Sequence, residues 1–152
     1  MSIDADPPQI ALPRLLAKSM RFHIQEFQDS GFDARWLDRD KAKKTYRYAL
    51  KFSATDRYGL SRETVADIQA HTIESENVAQ EWVKRRVNPS GKVHVVFGPD
   101  EVAVVEARLL IDRWHDMFLP GRDDVLVLHA EDDSVLLYCH EEELEYGRRI
   151  DP

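Results

Sequence analysis

The chain has 152 residues, of which 43% are hydrophobic and 32% charged, the composition of one soluble globular domain. No apolar run approaches the roughly 18 residues of a transmembrane helix, and the N-terminus lacks the basic region of a signal peptide, so we expect no membrane partner. The single cysteine, Cys139, has no second cysteine to form a disulfide within the chain, which favours a cytoplasmic location.

The N-terminal region is predicted to be an irregular arm over residues 1–13, because it holds three of the seven prolines. The next segment shows two competing periods. Its apolar residues recur at helical spacing as far as Phe27, and they also alternate with polar residues over 20–27 as in a strand. We favour the strand and expect Gly31 to end the element in either case.

Two longer patterns occupy the middle of the chain. Residues 45–53 predict a half-buried strand, since aromatic and apolar residues alternate there with polar ones. Ser61 is a plausible N-cap for a helix over about 62–87, in which small apolar residues recur every three or four positions. The same stretch also fits two helices broken near Thr72.

A basic run accompanies the predicted strand and could contact nucleic-acid phosphates and bases, since tyrosines are interleaved with it. The sequence pI of about 5.3 and the acidic neighbours Asp38 and Asp40 argue against that function and favour a solvated basic face. Nucleic acid is therefore a disfavoured partner. The residues of the run are Lys41, Lys43, Lys44, Arg47 and Lys51.

The turn sequence "NPSG" precedes a predicted strand, "KVHVVF", at residues 92–97. The following stretch predicts a helix over about 100–118, because an apolar stripe persists for four helical turns. The alternative is a hairpin, "VHVVF-GPDE-VAVV", followed by a shorter helix. We favour the long helix.

The C-terminal third contains two apolar runs, at about 125–130 and 135–140, separated by "AEDD", which together predict an antiparallel hairpin. Both runs are apolar on both faces, so the hairpin is expected in the centre of a sheet or beneath a helix. The predicted fold is therefore a single α+β domain over residues 14–152, a mainly antiparallel sheet with helices packed on one face.

Asp123, His129 and His140 are candidate ligands of a divalent metal ion. If His129 pairs with Ser134, the two histidines share one face of the hairpin and Asp123 stands opposite His140. Carboxylate and imidazole groups in that arrangement suit a metal-binding protein or a metal-dependent hydrolase. The alternative is that these are ordinary strand-end histidines and turn carboxylates.

The motif "GRDD" predicts a structural corner between helix and strand, in which Arg122 holds carboxylates such as that of Asp124, or carbonyl groups. Cys139 lies inside an apolar run and is expected to be a buried, inert thiol. His140, the next residue, would point to the opposite face of a strand.

Charge is distributed unevenly along the chain. Residues 98–152 hold 15 acidic and 5 basic residues, whereas residues 1–97 hold 13 acidic and 16 basic ones. The two halves could pair with each other, or the acidic half could face a basic partner. Candidates for such an acidic surface are Glu131, Asp132, Asp133, Glu141, Glu142, Glu143 and Glu145.

The favoured function is a non-enzymatic module that binds a basic protein, as immunity and inhibitor proteins do, with metal binding as the alternative. No glycine-rich phosphate loop, GxSxG, CxxC or HExxH motif occurs, so we lean against an enzyme and expect no cofactor. The runs "VAVV" and "VLVL" leave room for a homo-oligomer.

The order W-x-x-x-F-x-P-x-R-D-D from Trp114 to Asp124, a hairpin, and then "YCHEEELEYG" resembles small bacterial domains that have no assigned activity. The resemblance covers about the last third of the chain. It implies no catalytic residues.

Overall fold

The structure, a computed structural model, describes residues 22–150. The described residues fall into two compact units, residues 22–33 and 34–150. The predicted arm over residues 1–13 lies outside the described residues. Within 22–150, no helix is both long enough and apolar enough to cross a bilayer.

In the first unit, the described residues form one helix, α1 (Phe22–Ser30). The predicted strand over 20–27 is therefore wrong for the described residues 22–27, which are helical. Of the two competing patterns, the helical spacing of the apolar residues was the correct one. Gly31 ends the helix as expected. Its φ of +74° and the bond from Phe32 N–H to the Phe27 carbonyl (2.9 Å) form a left-handed helix terminus, a conformation that glycine favours.

The second unit is an antiparallel sheet with three helices, which confirms the predicted α+β class and the C-terminal hairpin. Seven strands form one sheet in the order β1-β4-β3-β5-β6-β7-β2. In chain order the elements are β1 (Arg35–Trp36), α2 (Arg39–Leu50), β2 (Val65–Thr72), α3 (Glu76–Arg86), β3 (Lys92–Gly98), β4 (Glu101–Glu106), α4 (Ala107–Met117), β5 (Val125–His129), β6 (Ser134–Cys139) and β7 (Glu143–Arg149).

The strand predicted over residues 45–53 is wrong, since most of that segment belongs to helix α2. The Asp38 carboxylate accepts a hydrogen bond from Lys41 N–H (2.9 Å) and caps the helix. Ala42 and Ala49, two turns apart, are both fully buried. The cap and this helical spacing outweigh the alternation of aromatic residues, because the cap satisfies an otherwise unpaired backbone donor.

The helix predicted over about 62–87 is wrong in its first half, where β2 forms instead. β2 lies at the edge of the sheet, pairs only with β7, and carries a bulge in which Asp67 adopts a φ of +58°. The helix begins only after Ser75, whose hydroxyl accepts from Val78 N–H (3.3 Å). The chain thus changes from strand to helix near the suspected break at Thr72.

The helix predicted over about 100–118 is also wrong in its first part, and the alternative hairpin is the one that forms. β3 and β4 pair around Gly98 and Glu101, and α4 starts at Ala107. Residues 102–105 are buried on both faces of the sheet. In a strand that is buried on both faces, every residue is apolar, so some of these residues also fall at helical spacing. That spacing is why the sequence predicted a helix here. The "VAVV" and "VLVL" runs are interior and leave no exposed surface for self-association.

Helices cover both faces of the sheet, in contrast to the single covered face that was predicted. On one face, α2 contributes to a core with alternate residues of the central strands. On the other, the Trp114 and Phe118 rings pack on Tyr138 of β6, with ring centroids 6.3 and 5.3 Å apart. The core of the first face comprises Leu37, Ala42, Ala49, Phe52, Leu60, Val65, Val96, Val102, Val104, Leu126, Leu128, Val135 and Leu137.

Candidate functional site

The structure does not bring Asp123, His129 and His140 together. Leu128 pairs with Val135, so the register is the one that sets His129 opposite Ser134. His129, however, lies at the turn of the hairpin, and Asp123 and His140 lie beyond its open end. Six residues of strand separate the two ends, roughly 20 Å. One metal ion cannot contact all three side chains.

His129 is a structural histidine. It is buried, its Nε2 lies 2.9 Å from the Asn88 carbonyl oxygen, and its Nδ1 accepts a hydrogen bond from Glu131 N–H (3.1 Å). These partners fit the neutral tautomer with the proton on Nε2. Both ring nitrogens are therefore occupied, and neither has a lone pair available for a metal ion.

At the predicted corner Arg122 binds the carboxylate of Asp123 instead of that of Asp124, which accepts from the His140 backbone N–H. The guanidinium donates two hydrogen bonds to Asp123, from Nε (2.8 Å) and from Nη2 (2.9 Å). Asp123 is only 5% exposed and also accepts from Leu119 N–H (2.8 Å). The carboxylate joins the end of α4 to the start of β5, which is a structural function.

The acidic candidates lie in two separate turns. Residues 131–133 connect β5 to β6, whereas residues 141 and 142 lie between β6 and β7, and Glu143 begins β7, at the opposite end of the strands. Asp132 accepts from the Ser134 backbone N–H (2.9 Å) and hydroxyl (2.6 Å). Burial opposes ionisation of Asp132, but these bonds outweigh it and keep its pKa below the usual value. The first turn therefore uses a carboxylate to hold its own backbone.

Glu145 is not part of an acidic surface, since it is 9% exposed. Its carboxylate accepts from Leu60 N–H (2.8 Å) and from Arg57 Nη1 (3.0 Å). The hydrogen bond to Glu145 raises the pKa of Arg57. The basic first half and the acidic second half of the chain are thus paired at this point, and the bonds hold the loop between α2 and β2 against β7.

A different cluster forms at the open end of the hairpin, from Asp124, Cys139 and His140. One ligand atom from each side chain lies within 4.8 Å of the other two. Asp124 Oδ1 accepts the His140 backbone N–H (2.9 Å) and lies 2.8 Å from His140 Nδ1. This hydrogen bond to the carboxylate raises the pKa of His140.

His140 was expected to point to the face of the strand opposite to Cys139, but its side chain lies on the same side as Cys139. The reason is that strand β6 ends at Cys139. Beyond the last paired residue the alternation of side chains no longer applies. Cys139 is buried as predicted, and burial raises the pKa of its thiol. Its Sγ accepts a hydrogen bond from Glu141 N–H (3.4 Å).

On the other face of the same strand end lies what we call the aromatic pocket, with a volume of about 340 Å³. Three aromatic rings, a histidine and three carboxylates contribute to its lining. These side chains are Trp114, Phe118, Tyr138, His115, Glu74, Glu76 and Glu142. The carboxylates are all exposed, whereas Trp114, Phe118 and Tyr138 are buried, so the pocket has an aromatic floor and an acidic rim.

Two polar atoms of the pocket lack hydrogen-bond partners among the described residues. Trp114 is 3% exposed, and its indole N–H is buried and unpaired. His115 Nδ1 lies 2.8 Å from Glu76 Oε2 and 3.4 Å from Asp116 Oδ1, and both contacts are ion pairs if the imidazole is protonated. Buried donors without an acceptor are rare in native proteins.

Glu142 occupies a backbone conformation that glycine or asparagine would normally fill. Its φ is +62°, in the three-residue turn between Cys139 and Glu143. The conformation is held by hydrogen bonds from Glu142 N–H to the Cys139 carbonyl (2.8 Å) and from Ile73 N–H to the Glu142 carbonyl (2.9 Å). A glutamate at this position makes the folded protein less stable than a glycine would, by about 1 kcal/mol.

Comparisons of the chain with protein-family models, curated proteins and solved structures found no significant match. Sequence reasoning identified Glu142 and His140 but missed Trp114 and Tyr138 as pocket residues, because both fit apolar patterns of a core. It also missed Glu74 and Glu76, which were assigned to the middle of a helix. The sequence signal for these two was Ser75, a good N-cap residue.

The hydroxyl of Tyr138 gives a test of the pocket's environment. Burial, with the negative charges of Glu142 and Asp123, raises the pKa of Tyr138 from 10.0 to about 12. The unfolded chain releases this proton at a lower pH than the folded protein does. The free energy of unfolding should therefore fall by about 2 to 3 kcal/mol as the pH rises from about 10 to about 12. We expect Tyr138→Phe to remove that share of the pH dependence in urea unfolding. An unchanged dependence in the variant would place the hydroxyl in contact with solvent.

Proposed function

We propose that this protein is a non-enzymatic binding module that takes a lysine or arginine side chain of a basic partner protein into the aromatic pocket. The observation that carries this proposal is the aromatic floor beneath three exposed carboxylates. Cations are attracted both to the faces of aromatic rings and to carboxylates. A volume of about 340 Å³ suits a single large side chain with its neighbouring peptide group.

The unpaired Trp114 N–H supports a peptide rather than a simple cation as the occupant. Lysine and arginine side chains only donate hydrogen bonds, so they cannot satisfy another donor. A peptide segment brings both a cation for the rim and a backbone carbonyl that can accept from Trp114.

Charge around the pocket favours association with a basic surface. Glu141 precedes Glu142 in the same turn, Glu143 follows it as the first residue of β7, and both are exposed. Together with the rim carboxylates they concentrate negative charge at this end of the sheet. Such charge speeds encounter with a basic protein at low ionic strength and loses effect as salt screens it.

The unusual conformation of Glu142 supplies a test that separates function from stability. Glu142→Gly removes the carboxylate and suits the backbone, so we expect the variant to be more stable by about 1 kcal/mol and to bind its partner about tenfold more weakly. Stability is measured by urea unfolding. Binding is measured by retention of basic proteins from the native cytoplasmic extract and then by titration of the purified partner.

Glu141→Gly is the matched control, because it removes a carboxylate from the same turn but from outside the pocket lining and without a positive φ. It should lower stability slightly and weaken binding by no more than about threefold. A second control reverses Glu131 and Asp133 at the opposite turn. Equal binding by wild type and Glu142→Gly, or dependence on the opposite turn instead, would refute the aromatic pocket as the binding site.

A further inference from the structure

The Asp124, Cys139 and His140 cluster lies on the other face of the strand end from the aromatic pocket and carries a different chemistry. Asp124 precedes β5 and Cys139 ends β6, and continuing the register past the Val125–Tyr138 pair sets these two residues opposite each other. His140 follows directly and turns its ring toward Asp124. The antiparallel pairing therefore sets Asp124 opposite Cys139, and the contact of His140 Nδ1 with Asp124 Oδ1 places the third side chain.

We propose that these three residues bind a zinc ion, through the Asp124 carboxylate, the Cys139 thiolate and the His140 imidazole. Sulfur, nitrogen and oxygen atoms from protein side chains are the ligands that zinc takes. Magnesium and calcium prefer oxygen ligands alone, so the thiol selects against them. Three protein ligands leave one of the four tetrahedral positions open.

The required movement is small. Zinc–ligand bonds are about 2.0 to 2.3 Å long, which sets ligand atoms about 3.3 to 3.7 Å apart in a tetrahedral site. The cluster atoms now lie within 4.8 Å of one another, and His140 Nδ1 is 2.8 Å from Asp124 Oδ1. A side-chain adjustment of about 1 Å therefore suffices, and His140 has room for it because its side chain is 29% exposed.

Two features of the surroundings suit a metal ion. The Glu141 N–H bond to Cys139 Sγ (3.4 Å) would stabilise a thiolate, a common outer interaction of cysteine ligands. Asp124 and Cys139 also line a second pocket of about 520 Å³, together with Leu137 and the loop of residues 53–59. From this loop Tyr58 packs edge-on against the His140 ring, with centroids 4.7 Å apart. The pocket gives the ion an entry path and gives a water ligand space.

Binding must displace protons, since Zn²⁺ replaces the thiol proton of Cys139 and any proton shared by His140 and Asp124. The thiol sulfur keeps its electron pair, which forms the bond to zinc, and at least one proton leaves for solvent per ion bound. No oxidant or reductant is involved.

The test uses the full chain, freed of metal by a chelator and then titrated with ZnCl₂ in competition with a chromophoric chelator. We expect one ion per chain, a higher thermal midpoint, and release of at least one proton per ion in weak buffer. Titration with CoCl₂ should give the ultraviolet charge-transfer band of a thiolate–cobalt bond together with visible bands of tetrahedral cobalt.

His140→Ala and Asp124→Asn should each weaken zinc binding by about 100-fold or more, and Cys139→Ser should abolish the thiolate band. His115→Ala is the matched control, because that histidine is similarly exposed and also lies near carboxylates, and it should bind zinc as wild type does. No binding by folded wild type below about 100 µM zinc, a cobalt complex without the thiolate band, or equal affinity in His140→Ala would each overturn the proposal.

Discussion

Replacing Glu145 by alanine should destabilise the fold by about 3 kcal/mol. The substitution leaves the buried Leu60 N–H without an acceptor and leaves the Arg57 guanidinium without its carboxylate. An unsatisfied buried donor costs about 1 to 3 kcal/mol, and loss of the carboxylate partner of Arg57, whose side chain is 32% exposed, adds a smaller amount. Urea unfolding at neutral pH measures the change.

The matched control is Glu143→Ala, on the same strand and exposed, which should change stability by no more than about 0.5 kcal/mol. A double-mutant cycle with Arg57→Ala separates the ion pair from the bond to Leu60, since only the ion pair contributes to the coupling. If Glu145→Ala unfolds at the same urea concentration as Glu143→Ala, the loop is held by other contacts.

The loop that Glu145 holds also borders the proposed zinc site, since residues 53–59 line the second pocket. Loosening the loop should therefore affect the zinc site indirectly, through Tyr58, which is 62% exposed and contacts the His140 ring. The aromatic pocket lies on the other face of β6 and should be unaffected. The two sites can thus be perturbed separately.

Sequence reasoning predicted the β5–β6 hairpin correctly because its evidence was local. "AEDD" separates two apolar runs of similar length and so predicted the turn, whereas the register stayed open between a pairing of His129 with Ser134 and a shift of one residue. The same reasoning failed for residues 45–53 and 100–106. In the first, the deciding residue was Asp38, a cap outside the alternating pattern. In the second, a strand buried on both faces has no period that distinguishes it from a helix.

The candidate site could be predicted only in part, for a geometric reason. Sharing a face of a hairpin is a necessary condition for two side chains to meet, but position along the strand is a second condition. His129 and His140 fail the second condition, because they lie at opposite ends of the hairpin, and they also fail the first, because the His140 ring lies with Cys139 and Asp124 on the other face. The Asp124–His140 contact depends on β6 ending at Cys139, and the sequence does not set strand ends to single-residue accuracy.

The aromatic pocket depends on residues far apart in the chain, which local patterns do not relate. Glu76 starts α3, Trp114 belongs to α4 and Glu142 lies in the β6–β7 turn. These three meet because β2 pairs with β7 at the edge of the sheet, a pairing that brings Ile73 N–H to the Glu142 carbonyl. The strand β2 was predicted as a helix, so the neighbourhood could not be anticipated.

Replacing Asp123 by alanine should destabilise the fold by about 3 kcal/mol without involving any metal ion. The substitution removes the acceptor of the Leu119 N–H and both hydrogen bonds from Arg122 at a site that is almost fully buried. The isosteric Asp123→Asn keeps one oxygen for Leu119 but presents an amide donor to the guanidinium, so it should lose about 2 kcal/mol. Urea unfolding in the presence of a chelator measures both variants.

Asp133→Asn, in the exposed β5–β6 turn, is the control and should change stability by no more than about 0.5 kcal/mol. The comparison also decides between the two carboxylates of "GRDD". Asp123 holds the corner between α4 and β5, so its variants should lose the same stability whether or not zinc is present. Asp124→Asn should instead lose only the stabilisation that bound zinc provides. An Asp123→Asn variant with wild-type stability but no zinc binding would reverse the assignment and make Asp123 the metal ligand.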